Sequence, residues 1–308
     1  METKAVEQVI KIDHLTKDFG GGRGIFDVTF NVNKGEVFGF LGPNGAGKTT
    51  TIRHLLGFSR PQSGGCEILG LDCWRQPAEV QKHLGYLAGE IALPAQMSGI
   101  AFIRQIAEMR KVPMERALSL CEFFQLNPKS ELKRMSKGMK QKIALVIAFM
   151  HDADIIILDE PTSGLDPLMQ AKFCDFIRQQ KAAGKTVLMS SHAFDEVEKT
   201  CDRVAIIKSG KIIAQIEMKE IEHHKDKEFE IRFKQKADAE KFSTQKYKFT
   251  EINLPKSRIK VVVNDNQINE FLSLVSKFKI EYISEIKFTL EKYFMKYYQD
   301  SSVEEAAK

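Results

Sequence analysis

A lysine that follows spaced glycines and precedes a hydroxyl residue suits the handling of a polyphosphate. Residues 42–49, GPNGAGKT, have that arrangement in the spacing G-x-x-x-x-G-K-[ST]. Gly42, Gly45 and Gly47 let backbone N–H groups face phosphate oxygens without side-chain obstruction, Lys48 reaches the β and γ phosphates, and the Thr49 hydroxyl is placed for Mg²⁺. The plainer alternative is a glycine turn that binds nothing. A second cluster, IIILDE, ends an apolar run in Asp159 and Glu160. At the carboxyl end of a buried strand, Asp159 can bind Mg²⁺ through water and Glu160 can polarise an attacking water. Two unpaired carboxylates there are costly if buried, a cost that a metal and a phosphate offset for Asp159. A Glu160 that merely ended a solvated strand would instead be exchangeable for any polar residue. His192 closes TVLMSSH. A lone histidine is more often a surface or satisfied core residue, but strand ends in an open parallel sheet surround the ligand crevice, which favours a functional reading.

These residues need an open parallel sheet to position them, and the chain supplies its pattern. Val37 to Leu41 is apolar throughout and runs into the glycine loop and then a helix closed by Gly57, a strand–loop–helix context that the motif demands. DADIIILDE reads as a strand buried on both faces, the helix over 167–183 ends at Gly184, and KTVLMSSH is the next parallel strand. VAIIKSGKIIAQ reads as a hairpin turning at Ser209 and Gly210. Val9 to about Phe30 alternates apolar and polar residues around GGGRG, which predicts short antiparallel strands. Residues 98–151 carry no strand pattern and read as helices around 100–111, 114–125 and 137–150, a helical insertion. Beyond residue 219 the stretch EMKEIEHHKDKEFE marks a boundary. FEIRFK, RIKVVVN and IEYISEI then alternate between the helical patterns INEFLSLVSKF and TLEKYFMKYYQ, a small mixed α/β domain, and the tail SSVEEAAK reads as frayed.

A chain of 308 residues can hold one large domain with a satellite or two domains. Apolar residues at 43% and charged residues at 28% exclude disorder over most of it. The net charge of +5 is too small to argue for nucleic acid, though it suits phosphate ligands or an anionic membrane surface. Five cysteines form no CxxC pair and no zinc spacing, so a reducing, cytosolic setting is expected. The start METKAVEQVIKIDHL has no apolar signal core. The longest apolar run, Ile143 to Met150, falls far short of the ~18 residues that cross a bilayer, so any membrane span belongs to another chain.

GPNGAGKT as a Walker A loop, IIILDE followed by PTSGLD as Walker B, and His192, in this order over residues 9–217, are together similar to the ATP-binding subunits of ABC transporters. The resemblance implies a P-loop NTPase (RecA-like) α/β core with an antiparallel β subdomain and a helical subdomain at about 98–151. On this reading residues 1–218 form the nucleotide-binding domain and residues 219–308 an accessory α/β domain. It also implies ATP and Mg²⁺, bound by Gly42, Pro43, Asn44, Gly45, Ala46, Gly47, Lys48, Thr49 and Thr50 with Asp159, and hydrolysis with Glu160 and His192. In the family a serine–glycine helix start presses on the γ-phosphate of an ATP held by a second subunit. Ser136 and Gly138 match it, and this accounts for a glycine that costs the first turn roughly 1 kcal/mol. Asp166 matches the loop that crosses between partners. Phe19 stands where an aromatic ring stacks on adenine, with a core residue as the alternative.

Two departures stand out. The usual L-S-G-G-Q is here Met135, Ser136, Lys137, Gly138 and Met139, with Lys137 a cation near a neighbour's phosphates. Gly89 replaces a glutamine that touches Mg²⁺, so either the following Glu90 supplies the oxygen or water does. The implied partners are a second ATP-binding subunit, most simply another copy, and a transmembrane permease, with the chain peripheral on the inner face of the cell membrane. The YLxGE pattern and the added C-terminal domain point to export. The competing readings are a soluble ATPase of this type acting on nucleic acid or ribosomes, for which the usual second cassette or long coiled coil is lacking, and a nucleotide sensor without hydrolysis.

Overall fold

The computed structural model describes residues 7–295. It divides into two compact units, the first running to Met218 and the second starting at Lys219.

In the first unit, β1 (Gln8–Asp18) and β2 (Gly24–Asn33) form an antiparallel pair. Their 11 and 10 residues make them longer than the short strands expected, because irregularities in register let the pairing continue past local breaks. β3 (Val37–Leu41), buried at every residue, leads through the glycine loop into α1 (Lys48–Leu55), and Gly57 at φ 71° closes that helix. β4 (Ser63–Ile68), β5 (Leu71–Asp72) and α2 (Pro77–Lys82) were not anticipated. β4 carries three of its first four positions as Ser, Gly and Gly and owes its strand state to pairing with β1. The four antiparallel strands lie in the order β2-β1-β4-β5.

After β6 (Leu84–Leu87) come α3 (Gly99–Arg110), α4 (Met114–Phe123) and α5 (Lys137–Phe149), close to the expected helical insertion. β7 (Ile155–Asp159), α6 (Pro167–Ala182), β8 (Thr186–Ser191), α7 (Phe194–Thr200), β9 (Arg203–Lys208) and β10 (Lys211–Glu217) complete the unit. Ser209 and Gly210, both at positive φ, form the tight turn of the β9–β10 hairpin. The principal sheet has the order β10-β9-β3-β8-β7-β6, with only β10 antiparallel. β3, β7 and β8 are buried along their whole length, which is why they read as continuous apolar runs. All five cysteines are buried and unbridged.

α8 (Met218–Glu222) stands at the junction. The second unit contains β11 (Asp226–Phe233), α9 (Lys236–Ser243), β12 (Lys248–Asn253), β13 (Arg258–Asn264), α10 (Ile268–Val275) and β14 (Ile280–Ile286). Its sheet is antiparallel in the order β12-β13-β11-β14. Ile231, Phe233, Ile259, Val261 and Val263 form its core with Phe242 of α9 and Phe271 of α10. The expected strands and the helix INEFLSLVSKF fall here, whereas α9 and β12 were not anticipated. The far end of TLEKYFMKYYQ and all of SSVEEAAK lie outside the described residues.

Candidate active site

The carboxyl ends of β3, β6, β7 and β8 meet on one side of the parallel sheet, the side on which ligands bind in open α/β folds. β3 delivers the loop 42–47. A Cβ at Gly42 would lie 2.4 Å from the Ile207 carbonyl oxygen, and one at Gly47, at φ 113°, would lie 2.7 Å from Ile25 Cγ2. Neighbouring strands therefore demand these two glycines irrespective of any ligand. Gly45, at φ 79°, meets nothing and keeps the mouth of the loop open. Ala46 is buried, and its carbonyl accepts a hydrogen bond from Gly210 N, which ties the loop to the β9–β10 turn.

Lys48 is buried, and its Nζ donates to the carbonyls of Gly42 at 2.6 Å and Pro43 at 3.2 Å. The same ammonium lies 3.1 Å from Glu160 Oε1, a buried atom with no hydrogen-bond donor of its own. Thr49 Oγ1 donates to Asp159 Oδ2 at 2.7 Å, and Ser190 Oγ donates to Asp159 Oδ1. A hydroxyl and a carboxylate side by side are hard oxygen donors that fit Mg²⁺. Among the described residues no cluster of three or more His, Cys, Asp or Glu forms an all-protein cage, so further ligands would be phosphate oxygens and water.

Glu160 follows β7 with φ 50°, the left-handed region that an L-residue with a long side chain seldom occupies. Its N–H is satisfied by the Ser190 carbonyl at 3.2 Å and Ser190 Oγ at 3.1 Å. Its Oε2 lies 2.6 Å from Nδ1 of His192, the exposed residue just past β8. Asn44, Thr49, Glu160 and His192 line one cleft of about 440 Å³ together with Arg53, Tyr86, Gly89, Glu90 and Ser163. Burial, followed by the charge of Asp159, pushes the Tyr86 phenol up to about 12. Pro43 is exposed and Thr50 half-buried, beside the loop.

Four residues matched through the family resemblance stand apart from this cleft's lining. Phe19 lies just past β1 with 54% of its surface exposed and Lys17 Nζ 5.8 Å from its ring centre, so the core-residue alternative is set aside. Ser136 caps α5, its Oγ accepting from Met139 N at 3.2 Å. Asp166 caps α6 in the same way, accepting from Met169 N at 2.9 Å, with Pro167 at the first helical position. Gly138 has a reason within its own chain: a Cβ there would lie 2.6 Å from the Gly164 carbonyl oxygen. Lys137 adds to this contact, its Nζ donating to Ser163 Oγ at 2.8 Å.

Sequence reasoning missed several supporting groups. Ser190 serves both Asp159 and Glu160, and its signal was a pair of serines ending an otherwise apolar strand. Gln141, 1% exposed on α5, donates to the carbonyls of Pro161 at 2.7 Å and Glu160 at 3.2 Å. Glu196 of α7 is buried and accepts from Ser191 Oγ at 2.7 Å and Thr162 Oγ1 at 3.1 Å, with burial pushing its carboxyl up to about 7. The signal for both was an amide or acid on the inner face of an amphipathic helix.

The family described as ABC transporter matches residues 25–163. The ABC transporter ATP-binding protein YhcH of Bacillus subtilis (strain 168), itself uncharacterized, is 37% identical over 212 residues, 68% of this chain and 70% of YhcH. The bacitracin transport ATP-binding protein BcrA of Bacillus licheniformis is 34% identical over 236 residues, 74% of this chain and 77% of BcrA. Among solved structures, an ATP-binding subunit of an ABC transporter superposes with a TM-score of 0.64 at 30% identity, covering 70% of this chain and 92% of that one. Matched at these identities along more than two thirds of such relatives, the chain belongs to the ATP-binding proteins of the ABC transporter family, which are ATPases.

Proposed function

We propose that the chain is the motor subunit of an exporter, in which two copies close on two ATP molecules and drive a separate transmembrane permease. The observation that carries this reading is the convergence of Lys48, Thr49, Asp159, Glu160 and His192 at the strand ends, with Ser136 exposed and outside the cleft's lining. In the proposed pair, the Ser136 of the second copy completes the cleft. Among the described residues no helix is long and apolar enough to cross a membrane, in keeping with spans on another chain. Export is supported by the likeness to BcrA, named for bacitracin transport.

The ammonium of Lys48 sits on two loop carbonyls and Glu160. A triphosphate in the cradle attracts Lys48 and weakens its hold on Glu160, leaving Oε1 free to accept a proton from water. That water attacks the γ-phosphorus as the bond to the β-phosphate oxygen breaks. His192 holds Oε2, so the carboxylate stays aimed while its other oxygen works. Thr49 and Asp159 would hold Mg²⁺, which when bound neutralises phosphate charge. Phe19, exposed beyond β1, would offer its ring to adenine.

The test is steady-state phosphate release from the full chain with MgATP. Wild type turns over, Glu160→Gln loses at least about a hundredfold in kcat yet retains nucleotide, and Lys48→Ala loses nucleotide affinity. Hydrolysis by Glu160→Gln at the wild-type rate would remove the assigned base.

A further inference from the structure

Glu160 is held in a backbone conformation it would not adopt by itself. At φ 50° an L-residue is strained, and such strain persists only where the surroundings over-determine it. β8 holds one side of the residue through Ser190, which accepts from the Glu160 N–H. On the other side, Gln141 Nε2 donates to the carbonyl of Pro161 at 2.7 Å and joins the Ser163 N–H, at 3.1 Å, in donating to the carbonyl of Glu160. Without that amide the carbonyl of buried Pro161 would lose this donor, and the Glu160 carbonyl would keep only the Ser163 N–H of the two.

We infer that Gln141 is a positioning residue for hydrolysis: it locks the left-handed peptide at Glu160 and so keeps the carboxylate between Lys48 and His192. The inference rests on the reading of Glu160 as the base. Gln141 is not among the residues lining the cleft, and its side-chain amide donates to backbone carbonyls at Glu160 and Pro161, so its effect is expected on the chemical step and not on nucleotide affinity. It lies on the same rigid helix as Ser136, five residues on, so the helix that begins at Ser136 is bonded to the peptide that carries the base. The Lys137–Ser163 hydrogen bond ties the next part of the same loop to α5, where Gly164 lies too near Gly138 for a side chain between them. Pressure on the exposed start of α5 is thereby felt at Glu160.

Gln141→Met preserves length and approximate volume but has no N–H. In the full chain it is expected to lower kcat by about tenfold or more, with KM for ATP and the affinity for a fluorescent ATP analogue within about twofold of wild type. Gln141→Glu, whose ionised form likewise donates nothing, is expected to act in the same direction, and serves if the methionine variant does not fold. A second measurement separates positioning from mere stability. Adding Glu160→Gln is expected to cost less in the Gln141 variant than in wild type, because the two changes disable one device. Wild-type kcat in either variant, a loss of kcat that tracks the folded fraction at the assay temperature, or a full additional loss from Glu160→Gln would each overturn the inference. Should Glu160→Gln alone hydrolyse normally, it is the assignment of the base that fails.

Discussion

Gly89 lies so close to Asp159 that a Cβ would stand 2.9 Å from Oδ2 and 3.1 Å from Cγ. Restoring the family's glutamine at this position is therefore expected to displace the carboxylate that faces Thr49, not to repair the site. Gly89→Gln should lower MgATP hydrolysis by about tenfold and raise the Mg²⁺ concentration needed for half-maximal rate, read by titrating Mg²⁺ at saturating ATP. Glu90, exposed and lining the cleft, keeps a carboxylate near the place of the absent amide. Glu196 yields a different prediction. Burial raises its folded value to about 7 from 4.5, so between those values the native state holds a proton that the unfolded chain has released. Its contribution to stability is complete below about pH 4.5 and is lost as pH rises through 7. Glu196→Gln should remove that slope, so that urea midpoints measured at about pH 5 and about pH 8 differ less than in wild type, by an amount on the order of 3 kcal/mol in unfolding free energy.

At the scale of elements, the start of α5 and the loop 161–166 form one packed unit. Gly138→Ala would gain about 1 kcal/mol of helix propensity. It would also place a methyl group 2.6 Å from a backbone oxygen that is not free to move far. Overpacking of that kind costs about 1–3 kcal/mol and should prevail. The expected result is a lower melting temperature, by about 2–4 °C per kcal/mol in a domain of this size, together with slower hydrolysis. Elements that were legible share a physical cause. β3, β7 and β8 are buried on both faces, so apolar runs disclosed them, and α5 and α6 carry side-chain caps, Ser136 and Asp166, that mark their starts. β4 was illegible because its glycines pair only when β1 is already beside them, a non-local fact. At the site, the residues that contact phosphate or metal in such motifs were readable from spacing. Ser190 and Gln141 were not, because they satisfy groups far away in sequence, and Glu196 was not, because it joins nearby Ser191 to distant Thr162. Gly138 was read as clearance for a ligand, yet the neighbouring loop already requires it.

For the molecule as a whole, the proposed closure makes each ATP site the joint property of two chains. Neither Lys48→Ala nor Ser136→Glu should hydrolyse ATP efficiently alone. Mixed together, they should recover activity, because a mixed pair holds one site with an intact loop and an intact serine. Absence of recovery, with mixed pairs demonstrated by differential tagging, would count against the shared site. The division at Met218 and Lys219 leads to a further expectation. Limited proteolysis should cut first in the lysine-rich stretch after Lys219, and residues 1–218 made separately should fold cooperatively. Finally, every one of the five cysteines is buried. Native thiols should thus be nearly silent toward maleimide probes in the folded protein, whereas a cysteine placed at Leu168, 75% exposed, should react at once. A single spectroscopic label at that site could then report subunit closure in real time against an almost dark natural background.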